Sequence, residues 1–147
     1  MKTFGDILNS QINFLTRRDK VLSINYEFYL NLVYQIGNKG QIPDGSLIKY
    51  QKGTNSNINI VEEWVELNDD ETCSMRIGIV VNNTNHLVSL STKQEKSNID
   101  LTVTTDLEVR NYQYNLENNK ISDLNFDDVV SNIFEDIVNS YNNWFNI

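Results

Sequence analysis

Alanine is missing from this chain, and cysteine, histidine and proline each occur once among its 147 residues. A lone cysteine, Cys73, forms no internal disulfide and excludes the Cys-rich zinc frameworks. A lone histidine, His86, would need a nucleophile or an orienting carboxylate beside it to act as a catalytic base, and no motif supplies one. No apolar run approaches the ~20 residues of a membrane-spanning helix. The first residues, Met1 to Asp6, lack the apolar core of a secretory signal. With one free thiol, these features lead us to expect a cytoplasmic protein without a membrane partner. Walker, Gly-x-Gly-x-x-Gly, His-Glu-x-x-His and Gly-x-Ser-x-Gly motifs are all absent. A basic balance is lacking too: the net charge of −8 argues against direct nucleic-acid binding.

What is present suits a folded domain. Hydrophobic residues make up 39% of the chain and aromatics 10%, enough for a core, and the length suits a single domain over 1–147. The 23 asparagines are spread among periodic apolar positions rather than gathered into a low-complexity tract. The charge is uneven. Residues 1–56 hold seven Lys/Arg against four Asp/Glu, a balance of +3, whereas residues 57–147 hold five against sixteen, a balance of −11. Such asymmetry marks a candidate interaction surface.

The pattern of elements is α+β. Thr3 to Leu15 reads as an amphipathic helix with Phe4, Ile7, Leu8, Ile12 and Leu15 on one face, and Arg17, Arg18 and Lys20 sit where a helix end favours cations. Residues 21–36 fit both a strand alternation and a helical seam of Leu22, Tyr26, Tyr29, Val33 and Ile36; their length favours a second helix, stopped at Gly37. A short edge strand is possible at Leu47–Tyr50. Ile58–Leu67 reads as a bulged strand, Cys73–Val81 and Leu87–Thr92 as the next two, and Ile99–Val109 as the clearest strand of all. Tyr112 and Tyr114 continue it after a change of parity. A final amphipathic helix starts at Asn125 and carries Phe126, Val129, Ile133, Ile137, Tyr141, Trp144 and Phe145. The expected fold is therefore two amino-terminal helices, a four- to five-stranded antiparallel meander and a carboxy-terminal helix packed on the sheet.

Few residues point to chemistry. Cys73 lies on the apolar parity of its strand and reads as a small buried hydrophobe, with the acidic run before it opposing a reactive thiolate. Asp106 and Glu108 share a strand face, but nothing places them in a pocket. The run Glu62, Glu63, Glu66, Asp69, Asp70, Glu71 is uncompensated and does not fit the EF-hand spacing. On a strand, Glu62, Trp64 and Glu66 would share one face, and an exposed tryptophan between carboxylates suits protein binding. Glu62, Trp64, Glu66, Asp69 and Asp70 are the candidate partner-binding residues, and no catalytic residue, metal site or cofactor is expected.

In size, acidity and layout the chain looks like the immunity and anti-defence inhibitors of bacteria and phages, which cover a partner's active surface. It also resembles type III secretion chaperones, which act as dimers, but it lacks their helix between strands. The expected function is a non-enzymatic protein-binding module that engages a basic partner site through acidic residues 62–71, with the acidic stretch 123–136 as a second candidate contact. The alternatives are a chaperone-like homodimer, or an α+β protein with a small-ligand pocket lined by Tyr26, Tyr29, Tyr112 and Tyr114.

Overall fold

The computed structural model describes residues 1–144. Its first element, α1, is one helix over Phe4–Lys39 rather than two. Between Gly5 and Gly37 there is no glycine or proline to stop it, so the cations at 17–20 lie mid-helix, on its exposed surface. A capping box starts it: the Thr3 hydroxyl accepts from the Asp6 amide, and the Asp6 carboxylate accepts from the Thr3 amide at 2.8 Å. It ends where Gln41 turns left-handed at φ 52° and the Ile42 amide closes back on the Gly37 carbonyl at 3.0 Å. At 36 residues the helix is about 54 Å long.

The strands form one antiparallel sheet. Two short strands, β1 (Leu47–Lys49) and β2 (Glu66–Leu67), lie along the same edge of β3 (Cys73–Val81). From there β4 (Thr84–Glu95), β5 (Asn98–Thr104) and β6 (Val109–Asn115) follow as a meander. The β3–β4 turn is the pair Asn82-Asn83, both at positive φ, the geometry that matches strand twist. Of the expected strand over 58–67 only the end, Glu66–Leu67, is formed, as β2. Val61–Trp64 makes one helical turn, α2, with Ile60 extended before it and Val65 after it. The expected strand over 99–109 is cut at Thr105–Glu108, where the Thr105 amide reaches the Glu108 carbonyl at 2.9 Å. Leu107 keeps up the alternation through this turn, yet its side chain is exposed. A 3-10 turn at Ile121–Asp123 leads to α3 (Asp127–Trp144), whose start is tied by Asn125 Oδ1 accepting from the Asp127 amide at 2.7 Å. Phe145, placed on this helix by its spacing, lies outside the described residues.

Alternation decides which sheet face is covered. Cys73, Met75 and Ile77 of β3, Val88 and Leu90 of β4, and Ile99, Leu101 and Val103 of β5 are buried against the second half of α1 and the first half of α3. Phe28 is the aromatic hub, edge-on to Tyr29, Tyr114 and Phe126 at centroid distances of 5.6, 5.8 and 5.2 Å. Polar groups fix the register of α1. The Tyr29 hydroxyl donates to the Cys73 carbonyl and to Thr92, both at 3.1 Å, and the Thr92 hydroxyl donates to Asn25 at 2.6 Å. Gln35 donates to the Leu124 carbonyl at 2.7 Å and accepts from the Phe126 amide at 2.9 Å, clamping the segment before α3 onto α1. The opposite sheet face carries the cross-strand row Ser74, Ser91, Thr102 and Asn111, of which the first three are half-buried and Asn111 is exposed.

Candidate functional site

The two halves of α1 differ in burial, not in pattern. Leu8, Leu15, Leu22, Tyr29 and Ile36 recur every seven residues along one face. Tyr29 and Ile36 are wholly buried, whereas every residue from Met1 to Lys20 is exposed. The amino-terminal half is therefore an arm that leaves the sheet with its apolar stripe uncovered. Phe4 is 79% exposed, Ile7 66% and Phe14 62%, with Leu8, Ile12 and Leu15 beside them. Apolar stripes of this kind on a monomer mark interaction surfaces.

A groove of about 350 Å³ opens at the root of the arm. Phe14, Arg17, Arg18 and Val21 of α1 form one wall; Leu67 of β2, Asp69 and Glu71 of the β2–β3 turn, and Gln94 of β4 form the other. Basic and acidic side chains thus face across the groove without an ion pair within 4 Å. Gln94 Oε1 is shielded from solvent there and has no hydrogen-bond partner.

Sequence reasoning correctly placed the acidic residues at the surface and misplaced the tryptophan. Glu62 is exposed on α2, Glu66 is exposed opposite Ser74, and Asp69 and Asp70 are exposed in the turn. Trp64 is only 4% exposed; its indole donates to the Ile58 carbonyl and its ring belongs to the core. The helical turn at 61–64 breaks the strand parity that would have set Trp64 beside Glu62 and Glu66. Asp70 is held below the usual carboxylate range, chiefly by the Thr72 hydroxyl at 2.6 Å and then by the Thr72 amide. None of Glu62, Glu66, Asp69, Asp70 or Glu71 forms an ion pair among the described residues.

The expected tyrosine-lined pocket is not formed. Tyr29 and Tyr114 pack into the aromatic core, and burial raises both phenols well above their ordinary value. Tyr112 accepts from Asn132 at 2.8 Å, and Tyr26 lines a shallow surface groove with Leu22, Lys52 and Val65. His86 is half-buried and shares a 2.7 Å hydrogen bond with Tyr141, over a cavity of about 10 Å³ that holds one water at most. Nearby, Arg110 forks onto the buried Asp136 at 2.8 and 3.2 Å, with the Thr105 hydroxyl donating to the same carboxylate. Each partner is consumed by another, so this cluster pins α3 to the sheet. Asp106 and Glu108 are exposed in the β5–β6 turn. Burial pushes the Cys73 thiol up to about 11, and it faces the core. Among the described residues no three His, Cys, Asp or Glu side chains converge as a metal site, and no helix is long and apolar enough to cross a membrane.

The arm was half-legible in sequence. Its stripe was found, but not that it is left uncovered, because amphipathicity shows that a face needs a cover and not what supplies it. The helical spacing running unbroken past Arg17 and Arg18 was the available signal.

Comparison with protein-family models, with curated proteins and with solved structures finds no match.

Proposed function

We propose that the chain is a non-enzymatic protein-binding module, and that its binding element is the projecting arm of α1 together with the groove at its root. One observation carries this reading: Phe4, Ile7, Leu8, Phe14 and Leu15 of the arm stand in solvent on the helix face that the second half packs against the core, and Ile12, in line with the exposed Leu30, stands beside them. A helix offering anchors at such spacing docks by laying its apolar face against a complementary surface. The acidic turn beside the groove adds charge. Asp69 and Glu71 on its wall, with Asp70, Glu66 and Glu62 close in sequence, favour a basic partner surface and would speed the encounter. This inhibitor-like mode needs contact area and complementary charge, and no reacting group.

The test compares partner capture from the source cell extract by the wild type, by an Ile7→Ser, Leu8→Ser, Ile12→Ser variant, and by a control changed at the exposed Asn9 and Asn13. The arm variant should lose the retained partner while the control keeps it. Equal capture by the arm variant would refute this function. Reversing Asp69 and Asp70 to lysine should weaken capture and flatten its dependence on salt.

A further inference from the structure

We infer that the outer edge of β6 accepts an added strand, an extended segment of another protein with lysine or arginine at alternate positions. This edge lies across the sheet from β1 and β2 and does not depend on the arm.

The main chain gives the first reason. β6 ends the sheet and pairs only with β5. The Leu116 amide reaches the Ser97 carbonyl and the Thr105 amide the Glu108 carbonyl, so the even-numbered residues of β6 turn their backbone towards β5. Val109, Asn111 and Gln113 turn theirs outwards, and their amides and carbonyls have no main-chain partner among the described residues. The other edge differs. There the Lys49 amide donates to Asn57 Oδ1, and the Lys49 carbonyl accepts from the Ile58 amide, both at 3.0 Å. Exposed edges are ordinarily blunted by proline, lysine or a bulge. β6 has none of these over its seven residues, and its one cation, Arg110, is turned onto Asp136. An unpaired row of this kind takes a strand by main-chain bonding.

Side chains select which strand. α3 runs over β6 in the opposite direction and in step with it. Arg110 meets Asp136, Tyr112 meets Asn132, and the Tyr114 phenol, raised chiefly by burial, is raised further by Tyr112 and by Asp128. Four residues of helix advance about 6 Å and two of strand about 6.8 Å, so the match holds along the edge. Val129 and Ile133 of α3 turn into the core, and Asp127 and Phe134 turn towards Lys39 and Gly40 of α1. The remaining flank, above the edge of β6, carries Asp128 and Glu135. Both are exposed, and neither forms an ion pair among the described residues. Glu108, also exposed, stands just before β6. Lys120, the next cation after β6, leads into the 3-10 turn whose Ile121 carbonyl is bonded to Asn31 of α1.

A strand added here alternates its side chains between the two sheet faces. Those opposite Tyr112 and Tyr114 rise on the α3 side, where the long stems of lysine or arginine carry a charge up to Asp128 and Glu135. Those between lie beside the neutral Asn111 and Gln113. The same flank disfavours a second copy, because pairing β6 with β6 sets Asp128 and Glu135 of one chain against those of the other. Antiparallel addition, the mode of the whole sheet, makes the hydrogen-bonded pairs opposite Asn111 and Gln113.

Fluorescence anisotropy of the full chain with a short labelled peptide, lysine alternating with threonine, tests this. The wild type should bind it saturably, and less tightly as salt is raised. The same peptide with glutamate for lysine should not bind. Methylating the amide nitrogens of the threonines, which face β6, should abolish binding, whereas methylating those of the lysines, which face away, should leave it. Asp128→Lys with Glu135→Lys should weaken binding by about tenfold or more. Asn111→Pro removes an outward amide and none bonded to β5, and should weaken it as much, with thermal unfolding as the check on the sheet. The methylated pair probes the edge on the unaltered chain, so the answer does not rest on that variant. The Ile7→Ser, Leu8→Ser, Ile12→Ser variant should bind the peptide as the wild type does, which separates this edge from the docking face of the arm.

Absence of saturable binding overturns the inference. So does binding that treats the two methylated peptides alike, that survives reversal of Asp128 and Glu135, or that is lost with the arm variant. A wild type that pairs with itself, and is freed by Asn111→Pro, puts a second copy on this edge and overturns the basic strand.

Discussion

At the residue scale, most polar side chains inside this protein have a defined task, and two of them give measurable consequences. Tyr29→Phe removes one hydroxyl that donates to Thr92 and to the Cys73 carbonyl, and leaves Thr92 bonded to Asn25. It should cost about 1 kcal/mol in urea denaturation. Thr92→Val removes the centre of the same network and strands the Asn25 oxygen in the core; it should cost more, about 1–3 kcal/mol. Cys73 gives a pH dependence of known sign. Burial raises its thiol from about 9 to about 11, so the native state holds the proton more tightly than the unfolded one. The stability it contributes is full below about pH 9 and falls as pH rises towards about 11. Denaturation curves on either side of this window should diverge for the wild type and less so for Cys73→Val. The burial of Cys73 was legible in strand parity, but its cause was read differently: desolvation raises the thiol, not the neighbouring carboxylates. Trp64 was illegible because alternating residues on a strand and a single helical turn look alike over so few positions.

At the element scale, the carboxy-terminal end of α1 is where two helices meet, and two glycines there should respond with opposite sign. A methyl group at Gly40 would run into the Phe134 ring and the Ile36 carbonyl, so Gly40→Ala should destabilise by about 1–3 kcal/mol. At Gly37 the added methyl meets only the Leu47 side chain at 3.4 Å, within the helix, so Gly37→Ala should be neutral or stabilise by up to about 1 kcal/mol. Thermal unfolding of the two variants checks both. Elements with strong local signals were legible: α3 from Asn125 onwards, the Asn82-Asn83 turn, and strands β3 to β5. The errors came where one signal served two structures. Arg17, Arg18 and Lys20 suit a helix end, yet in α1 they are exposed side chains of an uninterrupted helix. Leu107 and Val109 prolong the alternation of β5, yet Leu107 is an exposed turn residue and Val109 opens β6.

At the scale of the whole molecule, the arm and the core are energetically separable. No residue before Val21 is buried, so removing residues 1–18 takes nothing from the core. The shortened chain should fold and keep the near-ultraviolet signal of the full chain, with nearly the same unfolding temperature. Calorimetry of the two chains checks this; a large drop in unfolding temperature would tie the arm to the core. The connectivity has a further effect, on the order of folding. The strands β3 to β6 pair with sequence neighbours and form by local, fast steps, while Asn25 and Tyr29 must find Thr92 across more than sixty residues. During synthesis α1 emerges first and waits for the sheet that covers its second half. For that interval the face carrying Phe28, Tyr29 and Leu32 is as bare as the arm, and it can be covered only after Thr92 of β4 has been made.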